Sequence, residues 1–182
     1  SYSLKHIAMK KLSAIILLLA FNFSYGQKHL KDYDCVDQYA EGYAKVTKNG
    51  KNGFIDITGK LVIPLKYDDA LCFSEGRAAV AINNKWGYID TTGKEAIPLK
   101  FNEVYSFHEG LASVADTKFG YINKDGKYVI DPAYEQAGSF SEGLAPVSRK
   151  NMWGYINPEG KEVIPIRFSY ADKFFNGSAK VM

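Results

Sequence analysis

From Tyr39 onward, apolar runs of four to six residues alternate with short clusters of Gly, Asn, Asp and Lys. The stretch after Gly76 shows the order most clearly. Ala78-Ala79-Val80-Ala81-Ile82 is a first apolar run, and Asn83-Asn84-Lys85 is a polar turn. Trp86-Gly87-Tyr88-Ile89-Asp90 follows, then a second turn at Thr91-Thr92-Gly93-Lys94 and a third run at Glu95-Ala96-Ile97-Pro98-Leu99. Phe101 to Tyr105 closes the pattern and can form a short fourth strand. Runs of this length, β-branched or aromatic and bounded by Gly and Asn, predict strands joined as hairpins. Glycines and prolines recur too often for a helical face to survive.

The pattern repeats. Phe140-Ser141-Glu142-Gly143-Leu144-Ala145-Pro146-Val147 has counterparts beginning at Tyr39, Phe73, Phe107 and Phe174. The marker glycine falls at Gly42, Gly76, Gly110, Gly143 and Gly177, at intervals of 34, 34, 33 and 34. A fixed period of this size marks one small unit copied in tandem. The units are 39–72, 73–106, 107–139, 140–173 and a partial 174–182, after a mature N-terminal segment at 27–38 that can hold the tail of a degenerate repeat. One such unit is too small to support its own core, so neighbours must stack. The predicted fold is all-β: tandem antiparallel β-meanders forming an open, curved array. A closed, propeller-like array is the alternative; four-stranded blades usually run nearer ~40 residues.

One turn carries its own mechanism. Asp56, Asp90, Asn123 and Asn157 each stand three residues before Gly59, Gly93, Gly126 and Gly160. An Asx side chain at the first turn position accepts a backbone N–H two residues on, and glycine at the fourth takes positive φ. These turns lack the dense carboxylates of a calcium loop.

Charge and the N-terminus bear on destination. The formal +3 resides in Lys5, Lys10 and Lys11; from Gln27 onward basic and acidic residues balance at 20 each. The charges interleave, so there is no basic stripe for nucleic acid. Met9-Lys10-Lys11, the apolar Leu12 to Phe23 and the small residues of Ser24-Tyr25-Gly26 read as a signal peptide cut between Gly26 and Gln27. This apolar region of 12 residues, Asn22 among them, is too short for a membrane anchor, which needs about 20. No stable span is expected after cleavage. Met9 is the expected start of translation, and a last residue inside a repeat points to a product that continues past Met182. The expected location is outside the cytoplasm: periplasm, outer surface or extracellular space.

Candidate chemistry is sparse. Cys35 and Cys72 are the only cysteines. Export permits a disulfide between them, yet later units carry Ser106, Ser139 and Lys173 at the Cys72 position. His108 replaces the serine of Ser74 and Ser141 and reads as a surface turn variant. The repeated Glu41, Glu75, Glu109 and Glu142 occupy equivalent environments and so cannot divide acid and base roles; a structural hydrogen bond suits them better. No catalytic set, metal cluster or cofactor motif emerges, and the chain reads as non-enzymatic.

The aromatic residues are the remaining candidates. Trp86 and Tyr88, Phe119 and Tyr121, and Trp153 and Tyr155 alternate to one strand face. They can build an inter-repeat core or an exposed ladder for ligand contact. The phrases around Trp86-Gly87 and Trp153-Gly154, with Phe-x-Glu-Gly-Leu-Ala-x-Val and Val-Ile-Pro, resemble the bacterial WG-repeat family from about Tyr39 to Met182. The resemblance implies a β-rich array, often exported, with no activity established for the repeat. Asn52 and Phe119 depart from the tryptophan position, and Asn176 from the glutamate.

These readings favour an exported interaction scaffold whose partner is a protein or glycan of the cell envelope. Two alternatives stand beside it: a carbohydrate- or cell-wall-binding module using the aromatic ladder, and the targeting appendage of an enzyme lying beyond Met182.

Overall fold

The computed structural model describes residues 30–182; the candidate signal segment and its Gly26–Gln27 cut lie outside them. From Cys35 onward every regular element is a strand. The first sheet comprises β1 (Cys35–Val36), β2 (Tyr43–Lys48), β3 (Lys51–Asp56) and β4 (Leu61–Tyr67). The second comprises β5 (Asp69–Ala70), β6 (Ala78–Ile82), β7 (Lys85–Ile89) and β8 (Glu95–Phe101). The third comprises β9 (Glu103–Val104), β10 (Ala112–Ala115), β11 (Phe119–Ile122) and β12 (Tyr128–Tyr134). The fourth comprises β13 (Gln136–Ala137), β14 (Ala145–Arg149), β15 (Met152–Ile156) and β16 (Glu162–Phe168).

Each sheet is an antiparallel meander paired in chain order. Bridges at Ala171–Val181 and Phe175–Ser178 begin a fifth unit. Among the described residues no strand of the first sheet pairs with this last segment, so the array is open. The short strand near Glu103 was expected to close its own unit. It instead pairs with β10, Val104 facing Val114, and so starts the following sheet.

The Asx turns form as their residues dictate. The Asp90 Oδ1 accepts the N–H groups of Thr92 (2.9 Å) and Lys94 (3.1 Å), while Gly93 takes φ of 82°. Asp56 and Asn123 repeat the arrangement, and Asn157 keeps the bond from Lys161.

The Trp-Gly and Ile-Pro phrases are two halves of one device. Trp86 faces Phe101 and Tyr88 faces Ile97, so Pro98-Leu99-Lys100 bulges opposite Gly87. A Cβ on Gly87 would lie 2.5 Å from the Ile97 carbonyl oxygen and 2.7 Å from the Pro98 carbonyl carbon. Only glycine lets the bulged strand pass that close. Bulges bend their strand and strengthen its twist.

Among the contacts that join neighbouring sheets, three kinds recur in three or more units. Phe54, Tyr88, Tyr121 and Tyr155 each meet a phenylalanine of the next marker phrase (Phe73, Phe107, Phe140, Phe174), with centroids 4.9–5.0 Å apart and tilted edge-on. The three tyrosines also donate to carbonyl oxygens 17 residues on: Tyr88 to Tyr105 (2.6 Å), Tyr121 to Gly138 (2.8 Å) and Tyr155 to Asp172 (2.7 Å).

The third contact is the repeated glutamate. Glu41, Glu75, Glu109 and Glu142 sit at positive φ, 52–56°, each followed by a positive-φ glycine. This is the signature of a tight type I′ hairpin, a place where Asn or Gly is usual. Glutamate is kept there because its carboxylate reaches the next hairpin. Glu41 accepts from the backbone N–H groups of Glu75 (2.6 Å) and Gly76 (2.8 Å). Glu75 accepts from Gly110 (3.0 Å), Glu109 from Gly143 (3.0 Å) and Glu142 from Gly177 (2.8 Å). The row of carboxylates is a chain of latches between repeats.

Candidate functional site

The six candidate aromatics divide by burial. Tyr88, Tyr121 and Tyr155 are fully buried and Phe119 is 3% exposed, so these four rings are core and offer no face to a ligand. Burial pushes the Tyr88 and Tyr121 hydroxyls far above the ordinary phenol range. Trp86 and Trp153 are half-buried and keep part of their rings at the surface. The aromatic positions therefore do not form a continuous exposed ladder. Each buried tyrosine pairs with the next unit's phenylalanine instead, and Phe119 meets Tyr105. In the first unit the tryptophan position is Asn52, whose amide donates to the Asp68 carbonyl (3.1 Å) and accepts from Thr47 (2.8 Å).

Trp153 borders a cavity of about 320 Å³ between the third sheet, the fourth sheet and the start of the fifth unit. It opens where three positions depart from the repeat. Gly138 occupies the place held by Leu71 and Tyr105 in the preceding units. Those side chains cover hydrophobic surface: Leu71 packs on the cluster around Tyr88 and Phe107, and the Tyr105 ring stands 6.0 Å from that of Phe119. Gly138 has no such side chain, and the Pro146 ring stands where its Cβ would point.

Pro146 is the second departure, where Ala79 and Ser113 stand earlier. Gly138 donates its N–H to the Pro146 carbonyl (2.8 Å), as Leu71 does to Ala79 and Tyr105 to Ser113. A Cβ on Gly138 would lie 2.7 Å from Pro146 Cγ, so the proline requires the glycine. His108 is the third. Ser74 and Ser141 donate to the carbonyls of Phe107 (2.6 Å) and Phe174 (2.7 Å). His108 places an exposed imidazole at the cavity instead. Ser139, Asp172 and Lys173 complete the polar rim.

Sequence reasoning singled out Trp153 and His108 but not Gly138 or Pro146. The signal was present: departures from the repeat that fall in one interface. A second hollow, about 440 Å³, borders Trp86 and is rimmed by Asp68, Asp69, Asn84 and Asn102. It lacks the apolar wall that Pro146 gives the first.

The Cys35–Cys72 disulfide that export would permit is not formed; both cysteines are free thiols. Each turns toward Asp37 rather than toward the other, Cys35 Sγ to Oδ1 at 3.6 Å and Cys72 Sγ to Oδ2 at 4.0 Å. Lys45 pairs with the same carboxylate at 3.2 Å. Burial, reinforced by the Asp37 charge, pushes the Cys72 thiol above its ordinary value. Among the described residues no group of His, Cys, Asp and Glu could hold a metal ion.

A tandem array of four-stranded meanders, each fixed by a Gly opposite a bulged strand, defines a β-repeat protein. The chain belongs to the WG containing repeat family, which matches residues 53–86, 86–115, 119–152 and 153–182. No curated protein matches the sequence. Among solved structures it is similar to Hsv2p of Kluyveromyces lactis, at 13% identity and a TM-score of 0.55, over 82% of this chain and 58% of that one. A second structure of K. lactis Hsv2, with loop 6CD complete, matches at 13% identity and TM-score 0.55, over 79% and 55%. The chain thus spans little more than half the length of these structures, and at such identity the likeness concerns the fold alone.

Proposed function

We propose that this protein is an exported, non-enzymatic interaction scaffold that binds its partner through the cavity at Trp153, at the cell envelope or outside the cell. One observation carries the reading. The polar groups common to the repeats are consumed in the framework: tyrosine hydroxyls on carbonyls, glutamates on hairpin amides, Asx side chains on their own turns. Function must then reside where the repeats differ, and His108, Gly138 and Pro146 differ at one place. Small-ligand sites are concave, largely apolar and fixed by a few polar groups. The Met9–Gly26 segment supports export.

The test is direct. Protein recovered from producing cells is fractionated, its N-terminus is sequenced, and it is mixed with envelope material from the same cells. A chain beginning at Gln27, outside the cytoplasm, that sediments with the envelope and leaves it chemically unchanged fits the reading. An uncut cytoplasmic chain, or turnover of envelope material, overturns it.

A further inference from the structure

We infer that the Trp153 cavity is a binding site for a single pyranose ring bearing free hydroxyls; the inference rests on the reading above that this cavity is where the protein binds. Its volume of about 320 Å³ lies at the small end of ligand pockets, about 300–1,000 Å³, which suits a ligand as small as one sugar ring. The half-buried indole of Trp153 and the buried Pro146 give one apolar wall. An aromatic face carries negative quadrupole density, which attracts the weakly positive C–H groups on one face of a pyranose.

The rim decides between ligand classes. Asp172 supplies a carboxylate, which only accepts hydrogen bonds, while Lys173 only donates, and Ser139 and His108 extend the mixed set. Asp172 Oδ1 already accepts the Lys173 backbone N–H at 2.8 Å, leaving Oδ2 for a ligand. A sugar hydroxyl both donates and accepts, so it can satisfy both kinds of group. A proline-rich segment, the other ligand that favours aromatic grooves, offers mainly carbonyl acceptors. Asp172 would face those without a proton between them.

The cavity also explains a pairing that stability alone does not require. Gly138 and Pro146 together replace Leu71 with Ala79 and Tyr105 with Ser113, moving bulk from the linking segment into β14. The effect is to uncover Trp153 while narrowing the space beside it.

Tryptophan emission of the exported protein carrying Trp86→Phe reports Trp153 alone; Phe119 already occupies the equivalent position in the third unit. This protein is titrated with methyl glucosides, methyl galactosides and N-acetylglucosamine, and separately with a proline-rich peptide. The expected result is a saturable change with at least one sugar and none with the peptide. The double variant Gly138→Leu, Pro146→Ala restores the pair found at Leu71 and Ala79, fills the cavity and should abolish that change while the protein stays folded at the temperature of the titration. No saturable response to any sugar, or a response that survives the filled cavity, overturns the pyranose assignment. Binding of peptide or envelope material that the filled cavity abolishes would overturn the sugar while keeping the site. Envelope binding that survives filling would remove the site as well.

Discussion

Gly138 and Pro146 meet at the edge of the fourth sheet in a way no other unit repeats: a Cβ on the glycine would come within 2.7 Å of the proline ring. Gly138→Leu alone should therefore destabilise the chain, by about 1–3 kcal/mol as overpacked sites do. Adding Pro146→Ala should recover most of that loss. Urea unfolding of the two variants separates the terms; equal losses in both would mean that the proline is not the obstacle.

Gly87 makes a harsher prediction. Its missing Cβ would meet the backbone of Ile97 and Pro98, not a side chain that can swing aside. Gly87→Ala should cost about 3 kcal/mol, the upper end for inserted atoms in a packed site. Chemical denaturation measures it, and a change near zero would show that the bulged strand can retreat.

Phe54 is the first unit's version of Tyr88, Tyr121 and Tyr155, without the hydroxyl. Counting on 17 residues, as the three tyrosines do, places the Leu71 carbonyl as its acceptor. Phe54→Tyr should stabilise the array by about 1 kcal/mol, the net value of one such hydrogen bond. The mirror change Tyr88→Phe should lose about as much or more, since a carbonyl is then left unpaired. Melting temperatures moving in opposite directions would support both.

The glutamate latch predicts a pH dependence. Burial raises the Glu75 carboxyl, but the Lys124 ammonium and the amides of Gly110 and Glu109 outweigh it and hold the group below its ordinary 4.5. A carboxyl depressed on folding stabilises the fold fully above its unfolded value, and that share is lost as pH falls through the folded value. Thermal stability should therefore fall below about pH 4.5, and Glu75→Gln should flatten that fall while costing about 1 kcal/mol at neutral pH. Melts from pH 3 to pH 7 on both proteins would show it; parallel curves would remove Glu75 from the response.

Cys72 should be a slow thiol. Burial and the Asp37 carboxylate both disfavour its thiolate, with Lys45 opposing them. In a Cys35→Ser background, alkylation should begin only above the ordinary thiol range, and Asp37→Asn should move the profile to lower pH. An unmoved profile would mean that the carboxylate does not act on the sulfur.

Much of the fold was legible in the chain because the same local instructions are written four times. The Asx-x-x-Gly turns and the Glu-Gly hairpins dictate their own conformations from residues a few positions apart, and the 34-residue spacing of their glycines demands stacking. The placement of Glu103–Val104 in the following sheet was not legible, since a two-residue strand has no periodicity to show which neighbour it joins. Nor was the cysteine pair. Spacing brings Cys35 and Cys72 near one carboxylate, but only the packing turns each sulfur to Asp37.

The sequence by itself determined the all-β repeat, its turns and the need for neighbours, because each depends on hydrogen bonds and conformational preferences within a few residues. The tertiary structure alone decided which aromatics are core and which reach solvent. It alone showed the glutamates latching one unit to the next. It alone brought His108, Gly138, Pro146 and Trp153 to one cavity, because these residues come from different units and meet only once the sheets are packed.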